Sequence, residues 1–350
     1  KEVAYNDDYR FDPDPVLHFE VPTDGEYVLT INEALFRGRE SFTYRITIGE
    51  LPFITSIFPL GGRVGEPVQI EMEGWNLEQA TLSIPPSAAE PGTHLLSASA
   101  GQLVSNYVPF AWHTIPECLD VESNDLPDTA QKVTLPIIVN GRADHPGDWD
   151  VFEVQGKAGE TIVAEVHARR LGSPFDSFVK FTNADGEIIA LNDDHHDAAS
   201  GLNTDHADSY LMAKLPADGT YFVHLGDTRR HAGTEYAYRL RISQPRPDFA
   251  LRLIPSRIVI RSNAVANVSV FAIRKDGYNG PIKLSFSDLP DGFQSSGATL
   301  AAGKESVGLS LKANLAETEG PVNLTVIGSA TIGGGEIVHR AVPSEDRMQA

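Results

Sequence analysis

Residues 216–225 read Pro-Ala-Asp-Gly-Thr-Tyr-Phe-Val-His-Leu, a turn followed by an apolar run suited to a β-strand. The same frame occurs at residues 22–31, Pro-Thr-Asp-Gly-Glu-Tyr-Val-Leu-Thr-Ile. The match extends without a gap over residues 14–48 and 208–242, and both copies end on Tyr-Arg-x-x-Ile. A repeat with unrelated sequence between its copies is typical of a modular array rather than a single enzyme fold.

The first copy begins in the middle of the repeated unit. Its loop at residues 6–8, Asn-Asp-Asp, corresponds to residues 192–194, but the sequence that precedes this loop in the second copy has no counterpart before Lys1. We therefore expect residues 1–50 to be the C-terminal half of a module and the chain to be a piece of a longer protein.

Short alternating apolar segments, broken by Gly, Pro, Asn and Asp about every ten residues, predict an all-β fold made of sandwiches. Examples are residues 27–31, 161–166, 221–225 and 267–271. Proline-marked joints place the predicted boundaries of the modules. The predicted units are a truncated half-sandwich at 1–50, complete modules at 51–115, 116–245 and 246–343, and a linker at 344–350.

The module at 51–115 combines Pro-x-Ile-x-x-Ile-x-Pro at residues 52–59 with a Gly-rich turn, an alternating strand and Gly-Trp-Asn-Leu at residues 74–77. This order resembles the immunoglobulin-like TIG/IPT domain. The resemblance implies a small immunoglobulin-like β-sandwich. Within it we expect Gly74 and Asn76 to form a turn and Trp75 to pack on a small core, with a ligand contact by Trp75 as the alternative.

The module at 116–245 contains Gly-Asp-x-Asp at residues 147–150, Ala-Gly-Glu-Thr at 158–161 and Asp-Gly-Thr-Tyr at 218–221, with an acidic linker before them. The succession resembles the bacterial pre-peptidase C-terminal (PPC) domain. That family implies a jelly-roll β-sandwich, appended to many secreted peptidases and related to the collagen-binding domains of collagenases. It does not imply that this chain is itself a peptidase.

The last module contains Asp-Gly-Tyr-Asn-Gly-Pro-Ile at residues 276–282 and Leu-Pro-Asp-Gly at 289–292. These pieces look like the immunoglobulin-like sandwiches that follow PPC modules in large exported bacterial proteins, particularly those of planctomycetes.

The formal net charge of −20 opposes nonspecific binding to nucleic acids or anionic lipid, but it tolerates cations. Neither a membrane span nor a signal peptide is recognisable, and the single cysteine, Cys118, excludes an intrachain disulfide. We expect partners among other domains of the same polypeptide, with an extracellular protein or polysaccharide as a further candidate.

Calcium is the cofactor that the acidic residues of the PPC-like module suggest, because this ion takes six to eight oxygen ligands with little demand on geometry. Alternation along an extended linker would place Asp120, Glu122 and Asn124 on one side. In the collagen-binding relatives, the corresponding linker and Gly-Asp-x-Asp loop hold calcium. The alternative is that these residues only form turns. The predicted ligands are Asp120, Glu122, Asn124, Asp125, Asp148 and Asp150.

The sequence also indicates a second, weaker candidate cation site in loops that could converge at one end of the sandwich, with solvated turns as the competing interpretation. Its candidate ligands are Asp176, Asn192, Asp193, Asp194 and Asp208. A zinc site at His195, His196 and His206 is disfavoured, because adjacent residues on an extended chain point to opposite faces.

No nucleophile elbow, phosphate-binding loop or Cys/His pair occurs, so we expect no catalytic activity in this chain. The sequence predicts a non-catalytic, calcium-stabilised segment of a secreted or cell-surface bacterial protein. The alternative is a substrate-binding accessory region of a secreted peptidase whose catalytic domain lies outside this chain.

Overall fold

The computed structural model describes residues 1–34, 38, 42–84, 90–196 and 205–344, with only the backbone of Asp205 and His206. The predicted all-β class is confirmed. In these ranges the helical segments are two single 3₁₀ turns, Pro127–Thr129 and Arg169–Leu171. Neither is long and apolar enough to cross a membrane.

The strands of the region predicted as the TIG/IPT-like module form two sheets around one core. In the described residues, β1 pairs with β3, and the second sheet has the order β2-β7-β5-β4 with β6 beside β5. Buried Ile54, Leu96, Phe110 and Trp112 lie in their shared core. The strands are β1 (Phe53–Phe58), β2 (Gly61–Arg63), β3 (Glu71–Trp75), β4 (Thr81–Ser83), β5 (Gly92–Ala100), β6 (Leu103–Val104) and β7 (Val108–His113).

The next region, predicted as the PPC-like module, is a sandwich of two sheets with five strands each among the described residues. The strands are β8 (Glu117–Leu119), β9 (Gln131–Lys132), β10 (Ile137–Arg142), β11 (Trp149–Gly156), β12 (Thr161–His167), β13 (Ser177–Asn183), β14 (Ile188–Asn192), β15 (His195–His196), β16 (Asp205–His206), β17 (Tyr210–Lys214), β18 (Gly219–Asp227) and β19 (Ala237–Ser243). Their orders are β17-β12-β19-β10-β8 and β14-β13-β18-β11-β9, while β15 and β16 form a separate ribbon.

Alternating side chains from both sheets of this sandwich meet in one core, which includes Val139, Phe152, Val166, Val223 and Leu240. The repeated stretch supplies β18 and β19, which lie in the middle of their sheets. This position explains why β18 from Tyr221 onward and all of β19 are buried, including the polar side chains of Arg239 and Arg241.

The last described region forms a sheet of eight strands in the order β23-β25-β21-β20-β27-β26-β22-β24. Val270 and Leu309 share a core with Leu284 and Val326 from the other half of the sheet, so the sheet folds over itself. The strands are β20 (Asp248–Ile254), β21 (Val265–Lys275), β22 (Ile282–Ser287), β23 (Phe293–Gln294), β24 (Ala298–Leu300), β25 (Ser306–Ala313), β26 (Thr325–Ile332) and β27 (Gly335–Pro343). Apart from Ser344, the predicted linker 344–350 lies outside the described residues.

Residues 27–31 do not form the strand that the sequence predicts. Their described part contains one isolated bridge, Tyr9 to Asp12, and no named strand. The corresponding strand of the second copy is β18, which pairs with β11 on one side and β13 on the other. A strand without neighbours cannot satisfy its backbone groups in a ladder, which explains the difference.

Two junctions connect the consecutive β regions. At the first, Leu171 and Ala237 enter the core of the region 51–115, and the Arg142 guanidinium lies 3.9 Å from the centroid of the Phe58 ring. Arg142 also forms a 3.0 Å ion pair with Glu71. The sandwich 116–245 is therefore packed directly against its predecessor.

The second junction is a network of buried charges. Arg241 on β19 donates two hydrogen bonds, of 2.7 and 2.8 Å, to the carboxylate of Asp276 in the next region. On its other side, Arg241 donates to Glu165 at 2.7 Å, and the Tyr210 hydroxyl donates to Asp276 at 3.1 Å. Although burial alone would raise it, the pKa of Glu165 is held well below its usual range by His167, Arg170 and Arg241.

Candidate metal centre

The acidic linker lies across the start of β11. Asp120 follows the short strand β8 and donates its backbone N–H to the Asn140 carbonyl at 2.9 Å. Further along, the Asn124 carbonyl accepts from the Val151 N–H at 3.1 Å. These contacts hold the linker against the start of β11, beside Asp150 on the strand and Asp148 in the turn before it.

Six acidic or imidazole side chains lie in two groups here. One oxygen each from Asp120, Glu122 and Asp150 lies within 4.8 Å of the others, a separation that one cation could bridge. The same holds for ligand atoms of Asp125, His145 and Asp148. Five of the six predicted ligands are therefore members of a group.

Asn124, the sixth predicted ligand, is buried beside the first group. Its amide nitrogen donates to Asp120 Oδ1 at 2.8 Å, which leaves the amide oxygen without a hydrogen-bond partner. An amide oxygen in this position is an acceptor suited to a cation.

Several carboxylate oxygens of the cluster are buried and accept no hydrogen bond among the described residues. They are Oδ1 of Asp125, of Asp148 and of Asp150. Asp148 Oδ1 also lies 3.3 Å from His145 Nε2, a contact that becomes an ion pair only when the imidazole is protonated. The other oxygen of Asp148, Oδ2, accepts from the Asp144 N–H at 2.7 Å. Because a buried oxygen without a partner is costly, these atoms fit a bound cation better than they fit turn formation.

Burial and the mutual repulsion of the carboxylates raise the carboxyl pKa values of the cluster. Burial, followed by the charges of Asp120 and Asp148, raises the pKa of Asp150 well above its usual range. The same causes raise the pKa of Glu122 to about 7. Burial also raises the pKa of Asp120 and of Asp148. The ionised cluster is therefore unfavourable without positive charge nearby.

Sequence reasoning missed three contributors to this site. His145 lies in the turn before β11, with Nε2 3.3 Å from Asp148 Oδ1. Tyr238 comes from β19 and is fully buried, and burial together with the Asp150 charge raises its pKa. A Cβ on Gly141 would lie 2.2 Å from the Tyr238 hydroxyl and 2.9 Å from the Asp120 Cβ, so only glycine fits there.

The residues of the second predicted site have protein partners. Asp208 accepts hydrogen bonds from the backbone N–H groups of Ala168, Arg169 and Arg170 and forms a 2.7 Å ion pair with Arg170. These contacts fix the 3₁₀ turn that ends β12, so Asp208 has a structural role.

The other candidate ligands of the second site contact neighbouring protein groups. Asn192 accepts from the Tyr210 N–H, Asp193 accepts from the Asp194 N–H, and Asp176 lies 3.5 Å from Arg229. A cation at this end of the sandwich stays a prediction.

The chain resembles part of one larger protein. It is 34% identical over 142 residues to a Deinococcus radiodurans protein assigned as a subtilase-type serine protease. The match covers 37% of this chain and 18% of that protein, so it spans less than a fifth of the relative's length.

No family model matches the chain. A crystal structure of a candidate secreted protein from Eubacterium rectale overlaps 51% of this chain and 64% of that chain, at 14% identity. Its TM-score is 0.22, at which we draw nothing from the overlap. The resemblance to PPC and TIG/IPT domains stays a prediction.

Proposed function

We propose that this chain is a non-catalytic segment of a secreted or cell-surface protein, in which calcium stabilises the joint between two β-sandwich regions. The observation that carries the proposal is the set of buried oxygens without hydrogen bonds on Asn124, Asp125, Asp148 and Asp150. Calcium accepts such mixed carboxylate and amide ligands, and extracellular modules bind it at roughly 10⁻⁴ to 10⁻³ M.

The residues of the cluster would couple the linker to the sandwich. Asp120, Glu122 and Asn124 belong to the linker, whereas Asp148 and Asp150 belong to β11 and the turn before it. A bound cation would supply positive charge that stabilises the ionised carboxylates of both sets, including the buried Asp148 and Asp150. Strand β8 stands between the region 51–115 and this linker and pairs with β10, so the cation would hold the entry of the chain into the second sandwich, beside the joint.

The alternative function is a substrate-binding accessory region of a secreted peptidase, for a protein or polysaccharide. Its support is the partial match to the Deinococcus protein, whose assignment as a subtilase-type protease concerns that protein alone. Calcium at the joint would serve either role, since a binding module also needs a fixed orientation.

Calcium titrated into chelator-treated protein should bind saturably and raise the melting temperature. The test variant is Asp148→Asn with Asp150→Asn, which should lose both effects because it removes two ligands of the cluster. The control variant is Asp185→Asn with Asp291→Asn, which removes the same charge from two exposed turns. Calorimetry and thermal melts check both. Absence of heat and of a thermal shift up to millimolar calcium would refute the calcium proposal.

Calcium binding should also release protons near neutral pH. Glu122 has a pKa of about 7, and that of Asp150 is strongly raised, so the chelated protein holds protons that the cation must displace. Affinity should therefore fall as pH drops from about 7 to 5, by up to about tenfold per pH unit for each proton displaced. Titrations in buffers of different ionisation enthalpy count the protons. Equal affinity at pH 5 and 7 would contradict this.

A further inference from the structure

The two groups of the acidic cluster offer different ligand atoms. In the first group, every candidate ligand atom is an oxygen, whereas the second combines carboxylate oxygens of Asp125 and Asp148 with the imidazole of His145. Calcium prefers oxygen ligands, and imidazole is a ligand of zinc and related transition metals. The two groups are therefore suited to different metal ions.

A tight turn places His145 and Asp148 side by side. Residues 145–148 read His-Pro-Gly-Asp, and proline followed by glycine is typical of the two central positions of a type II turn. Gly147 has the positive φ that such a turn requires, 84°, and the Asp148 N–H donates to the His145 carbonyl at 3.0 Å. Backbone geometry alone thus brings an imidazole and a carboxylate together.

The three ligand atoms of the second group are spaced as one ion requires. His145 Nε2 lies 3.3 Å from Asp148 Oδ1 and 3.8 Å from Asp125 Oδ1. Two ligand atoms of a tetrahedral zinc ion, each about 2.0–2.1 Å from the metal, are about 3.3–3.4 Å apart. Neither oxygen accepts a hydrogen bond among the described residues. Hydrogen bonding therefore does not explain the close approach of the nitrogen, and a shared ion does.

Asp148 distinguishes this group from an ordinary cluster of surface acids. The residue is only 4% exposed, and its Oδ2 accepts from the Asp144 N–H at 2.7 Å, which orients the carboxylate. Its Oδ1 is a buried oxygen without a hydrogen bond, an arrangement that is costly unless a cation binds there. The side chains of His145 and Asp125 are 57% and 41% exposed, so water can reach the remaining coordination positions.

We propose that Asp125, His145 and Asp148 form a second metal site, which takes a divalent transition-metal ion of the zinc class. Three protein ligands hold the ion, and water completes its coordination. The inference rests on the proposed function in one respect, since it takes the acidic cluster to be a metal centre. It leaves calcium to the all-oxygen group with Asn124, so either site can exist without the other.

Cobalt(II) is the probe for this site, because its visible absorption depends on the ligands and the geometry around it. The full 350-residue chain, treated with chelator, should bind cobalt saturably both with and without millimolar calcium, and zinc should displace the cobalt. His145→Asn should weaken cobalt binding about 100-fold or more, since loss of even an outer-shell partner costs 10–100-fold. The matched control, His231→Asn, removes another exposed histidine and should bind cobalt like the unaltered chain.

Glu122→Gln separates failure of this site from failure of the calcium site. Glu122 belongs to the all-oxygen group, so the variant should lose calcium affinity and keep cobalt binding, whereas His145→Asn should do the reverse. Absence of saturable cobalt binding, or equal cobalt affinity in His145→Asn, would overturn the second site and leave the calcium proposal standing. Cobalt binding that disappears in millimolar calcium would also overturn it, because the group would then be part of the calcium site.

Discussion

Asp150→Asn should melt at a higher temperature than the unaltered protein when calcium is chelated, and at a lower temperature when calcium is saturating. The higher melting temperature without calcium and the lower one with calcium have different causes. Without a cation, the buried carboxyl costs stability because it must either stay charged or bind a proton, and asparagine keeps its shape without either cost. With calcium, the unaltered protein gains about 2.7 kcal/mol at a hundredfold excess over Kd, or about 5–10 °C in Tm.

The pH dependence of this comparison follows from linkage. The folded-state pKa of Asp150 lies above its unfolded value, so the native protein binds more protons between the two values. The contribution of Asp150 to stability therefore declines as pH rises through that window, and the advantage of Asp150→Asn under chelation should grow with it. Thermal melts of both proteins from pH 4.5 to 7.5, with chelator or with calcium, check the result. A variant that is less stable under both conditions would show that Asp150 is a purely structural residue.

Arg241→Met should destabilise the chain by about 3–5 kcal/mol, the second large effect we expect. Methionine keeps much of the apolar stem but leaves buried Asp276 without its bidentate partner. Arg63→Met is the matched control, because Arg63 forms an exposed ion pair with Glu66 and its loss should cost less than about 1 kcal/mol. Urea unfolding measures both variants.

A double variant tests whether the loss comes from the uncompensated charge. Arg241→Met with Asp276→Asn should recover part of the stability, since asparagine needs no counter-ion and tolerates the positive φ of 48° at this position. Proteolysis at residues 244–247 should become faster in Arg241→Met and slower again in the double variant. Equal stability of Arg241→Met and Arg63→Met would contradict the role assigned to the network.

The all-β class was predictable because alternation of apolar residues and turn residues between them are local signals. The proximity of Asp120 and Asp150 was predictable only through the resemblance to the PPC domain. Asp120 follows β8 and Asp150 lies at the start of β11, so no local pattern brings them together. Tyr238 was out of reach, because it is distant in the chain and reaches the cluster through the pairing of β19 with β10.

Two other differences have physical causes that the sequence does not display. The sequence places Asp208 among the candidate cation ligands, yet its carboxylate accepts hydrogen bonds from three consecutive backbone N–H groups. An acidic residue in a loop can serve either purpose, and the sequence does not distinguish them. The strand expected at residues 27–31 does not form, because a strand needs adjacent strands to pair with. The local sequence pattern shows only that the segment is suited to a strand.

The junction at Asp276 determines which contacts would carry a force applied along the chain. The connecting segment is short, and its Arg246 N–H donates to the same carboxylate that Arg241 binds. Pulling the two sandwiches apart would load these ion pairs and hydrogen bonds together before the connecting backbone could straighten. Side chains, more than the peptide linker, would then set the stiffness of this array under stretching.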